Sequence, residues 1–139
     1  MKTLSLDDLD ITKACESGFE FEYIRDSDGK GTGVFLTVMG SHSEKVQKWI
    51  RKTLNAVRQR EAMLVKRGKG EEVRTVEDDL DFGIESAAIR IIGWRGISQN
   101  GVELKFDWES AVRLCTINPE IYAQVIKQSN DFGNFTKRE

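Results

Sequence analysis

The 139-residue chain is poor in the residues that build disulfides and metal sites. It has two cysteines, Cys15 and Cys115, and one histidine, His42. The cysteines stand far apart and form no CxxC pair, so we expect free thiols, buried or incidental, with a disulfide as the less favoured alternative. One histidine and two distant cysteines are also a poor ligand set for zinc, so we expect no metal site.

Long apolar runs and a large net charge are missing as well. No apolar run approaches the roughly 20 residues of a membrane span, and the opening MKTLSLDDLD lacks the apolar core of a signal peptide. We therefore expect a soluble protein of a reducing cytoplasm without a membrane partner. The net charge of -2 argues against a dedicated nucleic-acid binder.

The length predicts a single domain over residues 1–139, and the residue patterns predict an α+β fold that is mostly α. Residues 16–40 read as a β-hairpin. Phe19, Phe21 and Tyr23 alternate with glutamates in the two-residue period of a half-buried strand, and VFLTVMG predicts the second strand. The segment DSDGKGTG between them has the composition of a turn. Before the hairpin, Leu6, Leu9 and Ile11 indicate one short helical turn.

About four helices are predicted after the hairpin, over residues 43–67, 76–92, 107–116 and 118–129. Ser43, Asp107 and Asn118 are expected as N-caps, and Pro119 follows in the first helical position, where its missing N–H costs nothing. Apolar residues at helical spacing predict the buried faces. These residues are Val46, Trp49, Ile50, Thr53 and Val57; Val76, Leu80, Ile84, Ala87, Ala88 and Ile91; Ala111, Leu114 and Cys115; and Ile121, Tyr122, Val125 and Ile126.

The segment GWRGISQNGVELKF, residues 93–106, is interpreted as a packed helix-to-helix connection. Gly93 is expected to end the preceding helix, and Trp94 and Ile97 are expected to point back to the core. Gln99-Asn100-Gly101 is a strong turn signal. This interpretation gives Arg95 no role.

Residue groups that resemble catalytic or ligand sites have simpler explanations. His42 lies between two serines, but sequence neighbours rarely reach catalytic geometry, and helix entry explains all three. DSDGKG lacks the remaining calcium ligands, and GKGTG lies between strands instead of opening a helix, as a phosphate loop does. The carboxylates cluster at helix starts, where the helix dipole favours them. We therefore expect no enzyme activity, no catalytic residue and no cofactor.

The helix over residues 43–67 has a basic face. A solvated surface or a patch for an acidic protein partner is the favoured interpretation, and a salt-sensitive nucleic-acid patch is the alternative. Its members are Lys45, Lys48, Arg51, Lys52, Arg58 and Arg60.

The order of motifs across residues 19–135 resembles the tail assembly chaperones of long-tailed, siphovirus-type phages and prophages. The resemblance begins with a strand–turn–strand unit from Phe19 to Val38, followed by Gly40 and Ser43. A helix, a W-x-G-I segment, a turn, two capped helices and a closing N-F then follow in the same order. The matching residues are Trp94, Gly96, Ile97, Gly101, Phe106, Glu109, Ala111, Leu114, Asn118, Pro119, Ile121, Ile126, Asn134 and Phe135.

The resemblance implies a function that composition and periodicity do not show. Such proteins bind the tape measure protein, a long helical chain, and keep it soluble while the tail tube assembles. They act in the host cytoplasm and are not expected in the mature virion. Some also exist in a longer, frameshifted form that recruits the tail tube protein.

A chaperone of this kind needs exposed apolar surface for a helical partner. The candidate partner-binding side chains are Trp49, Trp108, Tyr122, Phe132 and Phe135, with ordinary core packing as the alternative for each. A structural phage tail or head–tail connector protein is the second functional hypothesis, and a small nucleic-acid-binding regulator is the third. A homo-oligomer is compatible with all three.

Overall fold

The computed structural model describes residues 3–68 and 76–136. Within these ranges the chain combines a three-stranded antiparallel sheet, a small two-stranded sheet and a layer of helices. The elements, in chain order, are α1 (Thr12–Glu16), β1 (Phe19–Ile24), β2 (Gly31–Val38), α2 (Glu44–Lys66), α3 (Val76–Arg90), β3 (Ile91–Arg95), β4 (Ser98–Gln99), β5 (Val102–Glu103), α4 (Trp108–Ile117), α5 (Pro119–Asn130) and α6 (Gly133–Thr136). The predicted class, α+β and mostly α, is confirmed.

The predicted hairpin is formed by β1 and β2, which pair antiparallel from Phe19 opposite Val38. Phe21 and Tyr23 are buried on one face of β1, as the alternating pattern predicted. The connecting turn ends at Gly29, whose φ of +67° is a left-handed conformation that suits glycine. Only Gly29 and Lys30 of GKGTG precede the second strand, because β2 begins at Gly31, so the prediction that GKGTG lies between the strands is wrong for residues 31–33.

The segment after α3 is the main departure from the sequence prediction. The helix ends at Arg90, not at residue 92, and Ile91–Arg95 forms β3 against the free side of β2. The prediction that Gly93 ends the helix is wrong, because that residue lies within the strand. The Met39 backbone N–H donates to the Arg90 carbonyl (2.8 Å). This bond connects the end of β2 to the last residue of α3, directly before β3 begins. The partner strand overrides the local helical pattern.

Within the segment of residues 93–106, Trp94 connects β3 to the residues that follow it. Its indole N–H donates to the Leu104 carbonyl (2.9 Å), and its ring meets Phe106 edge to face at 5.1 Å. Asn100 and Gly101 both have positive φ, the geometry of a tight hairpin turn, and they connect β4 to β5. The turn signal is therefore confirmed, but the segment holds three strands where a plain connection was predicted.

The predicted N-caps of α2, α4 and α5 are confirmed. The Ser43 hydroxyl accepts from the Val46 backbone N–H (3.4 Å), and the Asp107 carboxylate accepts from that of Ser110 (2.7 Å). The Asn118 amide oxygen accepts from two backbone N–H groups at the start of α5, where Pro119 occupies the first turn. These bonds satisfy donors that the helix itself leaves unpaired, which is why the helix starts follow from the sequence.

The core lies between one face of the three-stranded sheet and helices α3, α4 and α5. Ser129 joins the two layers, because its hydroxyl donates to the Met39 carbonyl (2.7 Å) and its own carbonyl accepts from the Ser41 backbone N–H (3.0 Å). The core side chains are Phe21, Tyr23, Leu36, Val38, Ala87, Ala88, Ile91, Ala111, Cys115, Ile121, Val125 and Phe135.

Some apolar residues with predicted inward positions are exposed. Leu80 was expected on the buried face of α3, but 61% of it is accessible, because the cleft described below leaves it uncovered. The opening helical turn is present at residues 6–9, yet Leu6 and Leu9 face solvent. Val76 lies at the first position of α3, and its side chain is outside the described set. No helix in the described ranges has the length and apolar character required to span a bilayer.

Candidate partner-binding surface

The two candidate phenylalanines near the C-terminus lie on different parts of the structure. Phe135 is only 8% exposed and meets Phe19 edge to face at 6.2 Å, so it is a core residue and presents no binding surface. Phe132 is half-buried, and its ring packs edge-on against His42 at 5.1 Å. For Phe135 the core-packing alternative is therefore the correct one.

The other three candidates lie along the helical layer. Trp49 of α2 is half-buried and packs on Phe82 of α3, with ring centroids 5.4 Å apart. Trp108, the first residue of α4, is 43% exposed. Tyr122 of α5 is half-buried, packs against the core and lines a cleft. The five residues thus do not form one cluster, but Trp49 and Tyr122 lie on opposite sides of α3.

An apolar cleft lies where α3, α4 and α5 meet, with a volume of about 290 Å³. We call it the α3–α5 cleft. Leu80, exposed at its edge, and Ile84 supply the α3 wall together with the backbone of Gly83. The remaining lining residues are Asp79, Cys115, Thr116, Pro119 and Tyr122. Aliphatic side chains, a proline ring and one phenol make this a surface for apolar groups.

Gly83 leaves room for the cleft. A Cβ at this position would stand 2.9 Å from the Tyr122 hydroxyl oxygen, closer than side chains normally approach. The Tyr122 hydroxyl has no hydrogen-bond partner among the described residues, so the cleft contains one polar group that a ligand can use. Gly83 was not among the predicted site residues, although a glycine inside a strong helical pattern is a recognised signal of a packing or functional constraint.

A second, smaller groove of about 140 Å³ runs along the other side of α3, against α2. We call it the α2–α3 groove. Val57 and Phe82 contribute apolar surface, and an ion pair between Arg60 and Asp78 (3.6 Å) spans the two helices. Thr53, Asp81 and Glu85 complete its lining. Helix α3 is thus flanked by two grooves that both contain apolar side chains.

Charge is divided between the two helices that form this groove. All six basic residues predicted to form a face of α2 are exposed, from Lys45 to Arg60. Acidic residues dominate the first part of α3, where Asp79 and Asp81 are exposed and Asp78 is half-buried. The charges of α2 are therefore mostly basic and those at the start of α3 are acidic, and each of these surfaces favours partners of opposite sign.

Arg95, for which the sequence predicted no role, joins the outer strands of the sheet. Its guanidinium donates two hydrogen bonds to the Glu20 carboxylate (2.9 and 3.2 Å) and lies 3.9 Å from the centre of the Phe35 ring. Because of these hydrogen bonds, the pKa of Glu20 falls below its ordinary value. The Arg95–Glu20 contact spans the central strand β2 and links β3 to β1. Arg95 therefore contributes to the sheet.

Arg90 is a buried cation at the end of α3. Its guanidinium donates to the backbone carbonyl and the hydroxyl of Ser86, and its Nε has no partner within the described ranges. Burial lowers the pKa of the guanidinium. The contact with the preceding turn holds the last residue of α3 in the helix just before the chain changes to β3.

His42 lies directly before Ser43, the N-cap of α2. Ser41 Oγ lies 3.4 Å from His42 Nδ1, the His42 ring packs on Phe132, and Ser43 caps α2. Among the described residues, no three or more His, Cys, Asp or Glu side chains are arranged to hold a metal ion. Cys15 and Cys115 are free and buried, as expected.

Cys115 is expected to react slowly with thiol reagents at neutral pH. Burial raises its pKa to about 11, and only the thiolate is an effective nucleophile. The alkylation rate of a Cys15→Ser variant should therefore rise with pH up to about this value. The matched Cys115→Ser variant reports the Cys15 background. Rapid labelling of Cys115 that is independent of pH below 8 would contradict this environment.

The chain matches the family model of the YdaY prophage protein over residues 39–139. No curated protein and no solved structure matches the chain. The matched region begins at the end of β2 and contains every helix from α2 onward, including both grooves along α3. Because this match spans well over half of the sequence, the chain belongs to the YdaY prophage protein family.

Proposed function

We propose that this prophage protein is a non-enzymatic tail assembly chaperone. Its partner is the tape measure protein, which it keeps soluble and extended while the tail tube assembles. Two facts support the proposal: the prophage family and the ordered resemblance to tail assembly chaperones over residues 19–135. A longer, frameshifted form that recruits the tail tube protein belongs to the same proposal.

The observation that carries the proposal is the pair of grooves along α3. A helical partner is commonly bound when its apolar face enters a groove between helices. Both grooves are open at the surface and contain apolar side chains, and Leu80 stands exposed at one of them. Scattered exposed apolar residues are normal in proteins, but an apolar concavity between helices is characteristic of a binding site.

The small volume of these grooves, about 140 and 290 Å³, suits temporary binding. A chaperone of assembly must hold its partner and later release it to the growing tube. Small grooves bury little of the partner, so the free energy left after the loss of motional freedom is small. Charged residues near the grooves raise the rate of association with a charged helix more than they slow its dissociation.

Co-expression with the tape measure protein tests the proposal. We expect the two chains to co-purify and the partner to move from the insoluble to the soluble fraction. The tape measure protein expressed alone is the control. A partner that is soluble alone and does not co-purify would contradict the chaperone role, and this chain in purified virions would favour a structural tail or connector protein instead.

One observation favours a second function. The exposed basic face of α2, which includes Lys48, Arg51 and Arg58, has the charge of a nucleic-acid contact. The net charge of -2 and the acidic start of α3 count against a regulator of this kind. The same face suits an acidic segment of a protein partner, so the chaperone proposal accounts for it without a separate activity.

A further inference from the structure

We infer that the solvent face of α2 binds an acidic helix of a protein partner. Steps of three and four residues return to the same side of an α-helix, so seven positions from residue 45 to residue 66 form one line along α2. We call this line the lysine row. Its charged members are Lys45, Lys48, Lys52 and Lys66, and its neutral members are Asn55, Gln59 and Ala62. The inference goes beyond the proposed function, because the lysine row is separate from the grooves along α3.

The lysine row carries positive charge that the chain does not neutralise. Every member of the row is exposed, and none of its lysines forms an ion pair with another residue of the ranges 3–68 and 76–136. The two carboxylates of α2 lie outside the row. Glu44 is the first residue of the helix, and Glu61 is half-buried. The row therefore attracts anionic groups along about 30 Å of helix.

The spacing of the lysines opposes the formation of α2. Lys45 and Lys48 are three residues apart, and Lys48 and Lys52 are four residues apart. Like charges at these spacings are neighbours on the helix surface and repel one another. Carboxylates of a partner that lie between the lysines replace this repulsion with attraction. The row is therefore expected to bind an acidic partner more tightly than a helix face of mixed charge does.

The lysine row lies between two cavities of the α2 surface. On one side, Gln47 and Arg51 line a polar cavity of about 460 Å³, and on the other side Thr53 and Val57 line the α2–α3 groove. In each cavity, the lining carboxylates outnumber the lining lysine and arginine side chains. A single helix, about 10–12 Å wide, lies along the row between these carboxylates. Duplex DNA is wider and would bring its phosphates close to them.

The composition of the face also favours a protein over a nucleic acid. The row contains no aromatic side chain, whereas proteins that bind single strands stack the bases on aromatic residues. Beside Lys66, Met63 and Val65 are exposed and offer apolar surface to a protein partner. A helix with glutamate or aspartate at matching steps of three and four residues therefore suits the lysine row best.

Two synthetic peptides test the inference. Each is a fluorescently labelled, alanine-rich helix of about 20 residues. One carries glutamates at steps of three and four residues, and its twin carries lysines at the same positions. We expect the full chain to bind the glutamate peptide at least roughly tenfold more tightly than the lysine peptide, as fluorescence anisotropy measures it. Added salt should weaken this binding, because it screens exposed charges.

Charge reversal in the chain locates the site. The double variant Lys48→Glu/Lys52→Glu should weaken binding of the glutamate peptide roughly tenfold or more. The matched control, Lys30→Glu/Lys105→Glu, changes the net charge equally at exposed positions outside α2 and should weaken it less than about threefold. Melting curves show whether both variants fold. If the reversal in the row does not fold, Lys48→Ala/Lys52→Ala decides, since alanine favours the helix, and it should weaken binding severalfold.

Two results would overturn the inference. One is the absence of binding to the glutamate peptide, and the other is equal weakening by the two double variants, since net charge would then explain the binding. A labelled DNA duplex of about 20 base pairs covers the remaining alternative. Tighter binding of the duplex than of the peptide, lost in Lys48→Glu/Lys52→Glu, would identify the lysine row as a nucleic-acid contact instead.

The tape measure protein separates this inference from the proposed function. If Lys48→Glu/Lys52→Glu loses the peptide but still solubilises the tape measure protein, the chaperone role stands and the lysine row binds a different acidic chain. If the wild-type chain binds the glutamate peptide through the row but does not bind the tape measure protein, the row stands and the proposed partner is wrong.

Discussion

Replacement of Leu36 by alanine is expected to lower the free energy of unfolding by about 2–5 kcal/mol. Leu36 is fully buried on the central strand β2, where it stands opposite Phe21 of β1 and Trp94 of β3. Alanine would leave a cavity between the sheet and the helices, because three elements fix the surrounding side chains. Since small domains are stable by about 5–15 kcal/mol, the loss is a large part of the total.

Urea denaturation followed by tryptophan fluorescence measures the effect. Leu4→Ala is the matched control, because Leu4 is 69% exposed and its truncation should change stability by less than about 0.5 kcal/mol. A Leu36→Ala variant as stable as this control would show that β2 does not form the centre of the core.

The second large effect is expected at Gly96, directly after β3. Its φ is +87°, and a Cβ would collide with the Gly33 carbonyl oxygen at the start of β2. Gly96→Ala therefore combines left-handed backbone strain with a steric clash, and we expect a loss of about 2–5 kcal/mol. Thermal unfolding of the variant tests whether the chain approaches β2 this closely.

Gly101→Ala separates the two contributions. Gly101 also has a positive φ, +78°, but nothing lies within 4 Å of the position a Cβ would take. We expect a loss of about 1–2 kcal/mol, from the backbone strain alone. Equal losses for the two variants would mean that the contact between Gly96 and Gly33 does not exist in solution.

The features that the sequence predicted well are local. The alternation of Phe19, Phe21 and Tyr23 with glutamates indicates a strand without reference to any other part of the chain. The caps Ser43, Asp107 and Asn118 bond to backbone groups two or three residues away. Interactions of such short range follow from residue type and spacing.

The third strand could not be predicted in this way. The residues Ile91 and Ile92 continue the helical pattern of α3 and also suit a strand, so their conformation depends on whether a partner strand is available. That partner is β2, more than fifty residues earlier in the chain. The role of Arg95 is hidden for the same reason, because its contact with Glu20 exists only when β3 is paired.

The grooves along α3 were predicted only in part. Tyr122 lines the α3–α5 cleft and Trp49 contacts the wall of the α2–α3 groove, but Phe135 lies in the core. An aromatic residue at helical spacing does not reveal whether another element covers it. Leu80 shows the converse error, since its place in the apolar stripe predicted burial and the cleft exposes it.

Hydrogen exchange on the complex with the tape measure protein tests the central claim most directly. Amide exchange of this chain is compared with and without the partner. The account predicts slower exchange along residues 79–85 of α3 and residues 115–122 of α4 and α5, with little change in β1 and β2. No stable complex, or slower exchange confined to the sheet and the basic face of α2, would contradict the proposal that the grooves along α3 bind the partner.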